Sequence, residues 1–188
     1  QWGEVETVLS AKDTGRSISM PRTSPDGRWL IFCMCDYGYF PPWQSNSDLY
    51  IMDLKAAEKI GRFEYRRLEI NSDKSEAWHS WSTNSRWIIF SSKRSNGLFT
   101  RSYLSYVDES GKVYKPLVVP QEDPEFYDCH LEMFTTPEFA TGPLTVIGEK
   151  LARVAHGSTR ISVRMPITMA TPTADSAPEA TQYRHEVQ

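Results

Sequence analysis

Two stretches of the sequence carry side chains suited to binding a ligand. Lys93 and Arg94 are adjacent cations, and Tyr37, Tyr39 and Trp43 lie close together in the second stretch. A guanidinium offers a planar fork of donors to carboxylates and hydroxyls, while aromatic rings stack on sugars or pack against peptides. These residue types indicate recognition of an acidic glycan or peptide. The alternative is a solvated Lys-Arg turn beside a loop filled with aromatic side chains.

His79 is a candidate for acid-base or metal chemistry. An imidazole can act as a general base or a metal ligand, and the alternative is a channel histidine held by a structural hydrogen bond. His130 and Glu132 form at most half of a metal site, because no further ligands follow at short spacing. We therefore predict no catalytic residue, no metal site and no cofactor.

The three cysteines cannot build a complete disulfide framework. Three is an odd number, so at least one thiol stays free. Cys33 and Cys35 would point to the same face of a strand, at a spacing that strains direct pairing. We expect buried or half-buried free thiols, which leave the cellular compartment undecided.

The composition argues against several function classes. The 21 Lys and Arg residues against 24 Asp and Glu residues give a net charge of -3, which leaves no positive excess for a nucleic-acid backbone. No apolar run approaches the roughly 18 residues of a membrane span, and no basic-then-apolar leader begins at Gln1. We expect neither a membrane span nor a signal peptide. The sequence also lacks the Gly-x-Ser-x-Gly elbow of serine peptidases.

An internal repeat shows which elements must position these residues. The stretch Ser24–Phe32 aligns with Ser82–Phe90 at a constant offset of 58 residues. Each copy reads as a tight turn followed by a Trp-aliphatic-aliphatic-Phe strand. Each copy is followed by a second strand that ends on an aspartate, at Asp53 and Asp108.

Further strands complete a four-stranded antiparallel unit around each copy. The two clear repeats cover about residues 17–70 and 76–119, and units of this kind pack radially in β-propellers. We predict insertions at 35–46 and at 55–64, the second with a helical turn. The recurring Trp and Phe side chains are expected in the core, where removing Trp87 would cost about 3–5 kcal/mol. These core positions are Trp29, Phe32, Trp81, Trp87 and Phe90.

The motifs Ser-Pro-Asp-Gly-Arg-Trp-Leu-Ile-Phe at 24–32 and Asp-Leu-Tyr-Ile-Met-Asp-Leu at 48–54 resemble the WD40-like blade of TolB-type propeller proteins. The second copy, from Trp78 through Arg94, resembles a group of exported bacterial proteins with these repeats. The likeness spans about residues 2–145. It implies a propeller in the envelope of a Gram-negative cell, periplasmic or at the cell surface. Asn84-Ser85 replaces the Asp-Gly of the first turn.

The predicted fold is all-β, a partial β-propeller of four-stranded antiparallel blades with a short helix within 123–134 and an irregular tail. We assign residues 1–147 to the blades and 148–188 to a largely irregular C-terminal extension. Residues 141–155 are read as a last strand or closing segment, and Met165 to Gln188 as tail. Two blades cannot close a propeller, so we expect a C-terminal portion of a larger protein, with the missing blades on the same or another chain.

Propeller topology places the candidate residues on one rim. The loops at 35–46, 72–76 and 92–97 share that rim, with His79 near the channel. The predicted ligand-binding set is Tyr37, Trp43, His79, Lys93 and Arg94.

Three functions fit these observations. The favoured one is a non-catalytic propeller module that binds a protein or glycan in the bacterial envelope, as part of a larger protein or complex. The alternative is a carbohydrate-active lyase or hydrolase that uses channel residues such as His79 and Arg94. A purely structural spacer is the third.

Overall fold

Strand-forming stretches fold as two antiparallel meanders in the computed structural model of this chain. The structure describes residues 3–143 and 148–157. Each sheet has four strands in sequence order, which gives the predicted all-β, partial propeller-like fold of two blades. Blade 1 contains β1 (Ser17–Thr23), β2 (Trp29–Cys35), β3 (Asp48–Asp53) and β4 (Tyr65–Arg67), and blade 2 contains β5 (Glu76–Trp81), β6 (Trp87–Ser92), β7 (Arg101–Tyr106) and β8 (Leu117–Val118).

Short helices lie in the connections. Helix α1 (Ala11–Thr14) precedes blade 1, and α2 (Leu54–Ile60) fills the loop for which a helical turn was predicted. The predicted short helix after blade 2 is α3 (Phe126–Cys129). The chain divides into two compact units, Gln1–Pro143 and Leu144–Gln188, so both blades belong to the first unit.

The repeated turn is held by the same hydrogen bonds in both blades. Ser24 Oγ donates to Asp26 Oδ1 at 2.6 Å and accepts from the Trp29 amide at 2.9 Å. The left-handed position that Gly27 occupies in blade 1 (φ 70°) is taken by Ser85 in blade 2 (φ 58°). The Ser85 hydroxyl accepts from the Asp26 amide at 3.0 Å and so joins the two turns. The matching bonds in blade 2 join Ser82, Asn84 and Trp87.

A β-bulge interrupts the first strand of each blade. The register shifts between Ser19 and Arg22 in β1, and between Ala77 and Ser80 in β5. Within these bulges Met20 and Trp78, 58 residues apart, have positive φ angles of 54° and 48°. A bulge redirects the side chains that follow it. The repeat offset of the two bulges marks them as a feature of the blade rather than of one site.

The core lies mainly between the blades. Ile88 and Phe90 of β6 belong to one buried cluster with Ile31 of β2 and Ile51 of β3. Burial of such side chains contributes about 1.5–3 kcal/mol each. The Trp81 indole adds a hydrogen bond to the Arg22 carbonyl at 3.2 Å, which ties β5 to β1.

Trp29 is covered by the turn between β7 and β8. Gly111 of that turn has a φ of 78° and lies against the indole, so a Cβ there would overlap the ring. Arg28 donates to the Glu109 carbonyl at 2.8 Å, and Arg66 donates to the Gly111 carbonyl at 2.6 Å. Trp29 is therefore only 7% exposed.

The core prediction for Trp87 is wrong. Trp87 occupies the same place in blade 2 as Trp29 in blade 1, but it is 36% exposed. The described part of the chain has no third blade whose turn would cover it. The other repeated aromatic positions are buried as predicted, namely Trp29, Phe32, Trp81 and Phe90.

The segment after blade 2 folds over Arg101. This arginine is 1% exposed and donates to the carbonyls of Tyr127, His130 and Glu132 at 3.1, 2.6 and 2.6 Å. The carbonyl oxygens at the end of a helix carry partial negative charge, which favours a cation there. Arg101 thereby fixes α3 against β7.

Residues 148–155 form helix α4 (Gly148–Ala155), which overturns the last-strand reading of residues 141–155, while the closing-segment reading stays a prediction. Its sequence is rich in Glu, Lys, Leu, Ala and Arg, which favour helices over strands. The predicted irregular extension therefore begins with a helix. The rest of that extension from residue 158, including the tail from Met165 to Gln188, lies outside the described residues.

The two equivalent tryptophans form a matched pair for measuring this difference. Trp29→Ala is expected to lower the free energy of unfolding by about 3–5 kcal/mol, because it empties a buried site. Trp87→Ala is expected to lower it by a smaller amount, about 1.5–2.5 kcal/mol, because about a third of the residue is already in water. Urea denaturation of dilute protein measures both values. Equal losses would contradict the different burial of the two residues.

Candidate functional site

Three loops at one end of the blades form a shallow cleft of about 190 Å³, hereafter the rim cleft. They are the β2–β3, β4–β5 and β6–β7 loops, which propeller topology had placed together. Ser75 donates to the Pro42 carbonyl at 3.2 Å, and the Lys93 amide donates to the Ser75 carbonyl at 3.1 Å. The rim cleft is lined by Pro42, Trp43, Ser45, Lys74, Ser75, Lys93 and Gly97.

Trp43 and Lys93 meet at this cleft. The Lys93 ammonium lies 4.7 Å from the centre of the Trp43 ring, within the range of a cation–π interaction. Partial burial lowers the pKa of Lys93. Among the described residues, no carboxylate lies within salt-bridge distance of this ammonium, and Trp43 remains 67% exposed. An apolar surface and a positive charge are thus available to the same ligand.

A line of aromatic rings continues from Trp43 along the β2–β3 loop. Phe40 stacks on Trp43 with ring centres 6.3 Å apart, and Tyr39 meets the edge of Phe40. Phe40 also contacts Trp78 of β5, which fixes the loop on blade 2. Tyr37 is 73% exposed in the same loop but does not line the cleft.

Arg94 lies beneath the rim rather than on it. Its guanidinium donates to the fully buried Glu76 at 3.1 Å and to the Ile70 carbonyl at 2.9 Å. The guanidinium also lies over the rings of Phe90 and Tyr103, 5.3 and 4.8 Å from their centres. Only 18% of the Arg94 side chain is exposed. The arrangement gives Arg94 a structural partner in place of a ligand.

Glu76 is the centre of this buried polar network. Its carboxylate accepts from the hydroxyls of Ser72 and Ser92 at 2.6 and 2.7 Å, and from the Ser72 amide at 3.1 Å. Buried charges persist when they are paired and fully hydrogen-bonded. Glu76 begins β5, so the network secures the loop at 72–76 to the loop at 92–97.

His79 is buried between the blades. Its Nε2 donates to the Ile31 carbonyl at 2.9 Å, and its Nδ1 lies 3.8 Å from the Cys33 sulfur. Burial lowers the pKa of His79 to about 4, so the imidazole is neutral at physiological pH. His79 also forms one wall of a cavity of about 180 Å³, which the Arg22–Glu138 ion pair borders. The geometry is that of the structural alternative considered for this histidine.

A second cleft of about 340 Å³ lies at the opposite end of the blades, beside α2. Its charged side chains are already paired within the protein. Asp53 accepts from Arg28, and Arg62 forms an ion pair with Glu64. Although this cleft is larger than the rim cleft, it offers fewer free groups to a ligand.

The cysteines are free thiols, and Cys33 and Cys35 are buried as expected. Cys129 is exposed, so the expectation of a buried or half-buried thiol is wrong at this position. Within residues 3–143 and 148–157, no three His, Cys, Asp or Glu side chains form a group that could hold a metal ion. No helix in the same ranges is long and apolar enough to cross a membrane.

The predicted ligand-binding set lacked five of the seven residues that line the rim cleft, namely Pro42, Ser45, Lys74, Ser75 and Gly97. It also lacked Phe40, which stacks on the Trp43 ring. Lys74 lies in the loop at 72–76, which was predicted to be on the rim. Its positive charge could therefore have identified it as a candidate ligand-binding residue. Phe40 belongs to the Phe-Pro-Pro-Trp stretch, where two prolines between the aromatic residues restrict the backbone.

Comparison with known proteins adds little to this description. No protein-family model and no curated protein matches the chain. One solved structure that matches is the β-propeller domain of the Trilobed protease from Pyrococcus furiosus, with 18% identity and a TM-score of 0.36. The match covers 56% of this chain and 30% of that chain. The fold class, a partial propeller-like pair of blades, rests on the two four-stranded sheets themselves, and the TolB-type resemblance stays a prediction.

Arg94 and Lys93 are adjacent cations, but only Arg94 is expected to contribute much to the stability of the fold. Arg94→Ala leaves the Glu76 carboxylate buried without its cation, and should lower the free energy of unfolding by about 2–4 kcal/mol. Lys93→Ala should change it by less than about 0.5 kcal/mol, because that ammonium lies at the surface. Chemical denaturation of both variants measures the contrast. If Arg94→Ala were as stable as the wild type, the buried ion pair with Glu76 would be contradicted, and the exposed position predicted from the sequence would be favoured.

Proposed function

We propose that this chain is a non-catalytic propeller-type binding module that holds an acidic protein or glycan ligand at the rim cleft. The observation that carries the proposal is the pairing of Lys93 with the exposed Trp43 ring. Proteins commonly recognise such ligands by combining an aromatic surface with a few placed polar groups. The setting in the bacterial envelope, periplasmic or at the cell surface, rests on the sequence resemblance.

The charge around the cleft favours a carboxylate on the ligand. Lys74 and Lys93 both line it, and Lys74 pairs with Asp73, whose side chain is largely exposed. A ligand carboxylate placed between the two ammonium groups would gain two charge-assisted contacts. The Trp43 ring would then contact a sugar face or an apolar side chain next to that carboxylate.

The enzymatic alternative gains no support from the channel residues. A lyase or hydrolase acting through His79 and Arg94 needs a titrating or free group at each position. His79 is buried and donates to the Ile31 carbonyl, and Arg94 is held by Glu76. Because neither His79 nor Arg94 lines the rim cleft, the cleft fits a binding function better than a catalytic one.

The test is titration of the chain with two soluble probes, oligogalacturonate and a glutamate-rich peptide. Calorimetry or fluorescence should detect binding of at least one probe, and added salt should weaken it. Trp43→Ala and Lys93→Ala should each reduce the affinity about tenfold or more. Neither should change the unfolding midpoint, because both residues lie at the surface.

Ile60→Ala is the matched control. Ile60 is an exposed apolar residue that lines the cleft beside α2 at the opposite end, so its loss should leave probe binding unchanged. Absence of binding by both probes would reject the proposal. Binding that Ile60→Ala weakens and Trp43→Ala leaves intact would move the site to the opposite end.

A further inference from the structure

Each blade has one face that points toward the next blade in the chain, and in blade 1 this face is buried. Trp29, Ile31 and Ile51 of that face are at most 7% exposed beneath blade 2. Blade 2 offers its opposite face to them, with Ile88 and Phe90 in the shared cluster. This contact defines what a complete interface between blades looks like in this protein.

Blade 2 presents the same type of face again, but its end near Trp87 is uncovered. Trp87 pairs with Tyr106 across β6 and β7, and Tyr106 contacts Tyr114. The exposed fractions are 36%, 38% and 44%. The other end of the face is covered by residues 134–138, since Ser80 and Ser91 donate to carbonyls there. An exposed aromatic group of this kind marks an interaction surface.

The outer face of blade 1 resembles the face of blade 2 that packs against blade 1. Phe32 stacks on Tyr50 with ring centres 5.9 Å apart and an interplanar angle of 20°. The corresponding pair in blade 2, Phe90 and Tyr103, has values of 6.0 Å and 28° and packs in the shared cluster. In blade 1 this pair is only 1% and 8% exposed, because residues of the same chain, Val8 and Leu9 among them, pack against its cluster. The second half of a blade interface is therefore present on the outer face of blade 1 but only partly open.

An apolar cleft remains open on the outer face of blade 1. It measures about 340 Å³ and lies at the Leu30 and Met52 end of the strands. Leu30 and Met52 pair across β2 and β3, next to the pair of Trp29 with Asp53. Because Trp29 is the repeat equivalent of Trp87, the cleft and the exposed Trp87 lie at the same end of their blades. The remaining lining comes from Glu6, Thr7, Val8, Leu9, Ile18, Pro21 and Phe32.

We propose that the uncovered end of blade 2, around Trp87, receives the outer face of blade 1 from a second copy of this chain. Trp87 and Tyr106 would enter the apolar cleft beside Leu30 and Met52. Arg86 stands next to Trp87, as Arg28 does next to Trp29, and forms an ion pair with the exposed Glu109 at 2.6 Å. The charge beside Trp87 is therefore balanced within the chain, and the contact rests on the fit of the aromatic rings to the apolar cleft.

The contact joins different surfaces of the two copies, so it is head-to-tail. Such contacts produce a ring when the rotation closes, and an open chain when it does not. Each copy adds two blades, and propellers generally hold about four to eight blades. A closed ring would accordingly contain about two to four copies. This association is independent of any ligand at the rim cleft.

The test is the mass in solution of the full chain, measured by light scattering or sedimentation up to about 100 µM. Wild type should exceed the mass of one chain. Trp87→Glu should reduce the mass to that of one chain, and Val8→Glu should do the same from the cleft side. Trp43→Ala is the control that should keep the assembly, because Trp43 lies on the rim cleft. Circular dichroism checks that each variant remains folded.

Mixing the two glutamate variants tests the head-to-tail geometry. Each variant has lost one end and keeps the other, so the mixture should form a species of two chains and nothing larger. A mixture that stays at one chain would overturn the proposal. A monomeric wild type at the highest concentration would overturn it as well, and so would a Trp87→Glu variant that assembles like wild type.

Discussion

The packing of blade 2 on blade 1 is the contact on which the rest of the structure depends. A four-stranded sheet alone leaves two broad faces in water. The shared cluster removes one face of each blade from water by packing the two faces against each other. Two hydrogen bonds fix the alignment of this contact: the Asp26 amide donates to the Ser85 hydroxyl, and the Trp81 indole donates to the Arg22 carbonyl. The hydrophobic area supplies the stability, and the polar bonds specify the alignment.

This packing also decides which of the chemically versatile side chains are free. His79 and Arg94 have the chemistry of a functional site, but the blade contact and the buried Glu76 use their hydrogen-bonding groups. Trp43 and Lys93 stand on loops that the same contact brings together, and they keep surface available to a ligand. A binding function at the rim is therefore compatible with a rigid interior.

Much of the fold was predictable because turn chemistry and strand pattern recur at one offset. The same repeat could not show that Trp87 is exposed, since exposure depends on a following blade and not on the residue itself. Arg94 was misplaced for a related reason. A Lys-Arg pair looks solvated until Glu76 is found buried beside it, and sequence spacing does not reveal that contact. Helix α4 was not predicted, although the Glu, Lys, Leu, Ala and Arg residues of its sequence favour a helix.

Native-state hydrogen exchange tests most directly whether the two blades form one cooperative unit. The slowest amides of β2 and β3 should open with the same free energy as those of β6 and β7, because each blade buries its inner face only against the other. Removing Trp29 should lower both values together. Two well-separated opening free energies, with only the β2 and β3 amides responding to Trp29→Ala, would contradict an architecture held together by the contact between blades.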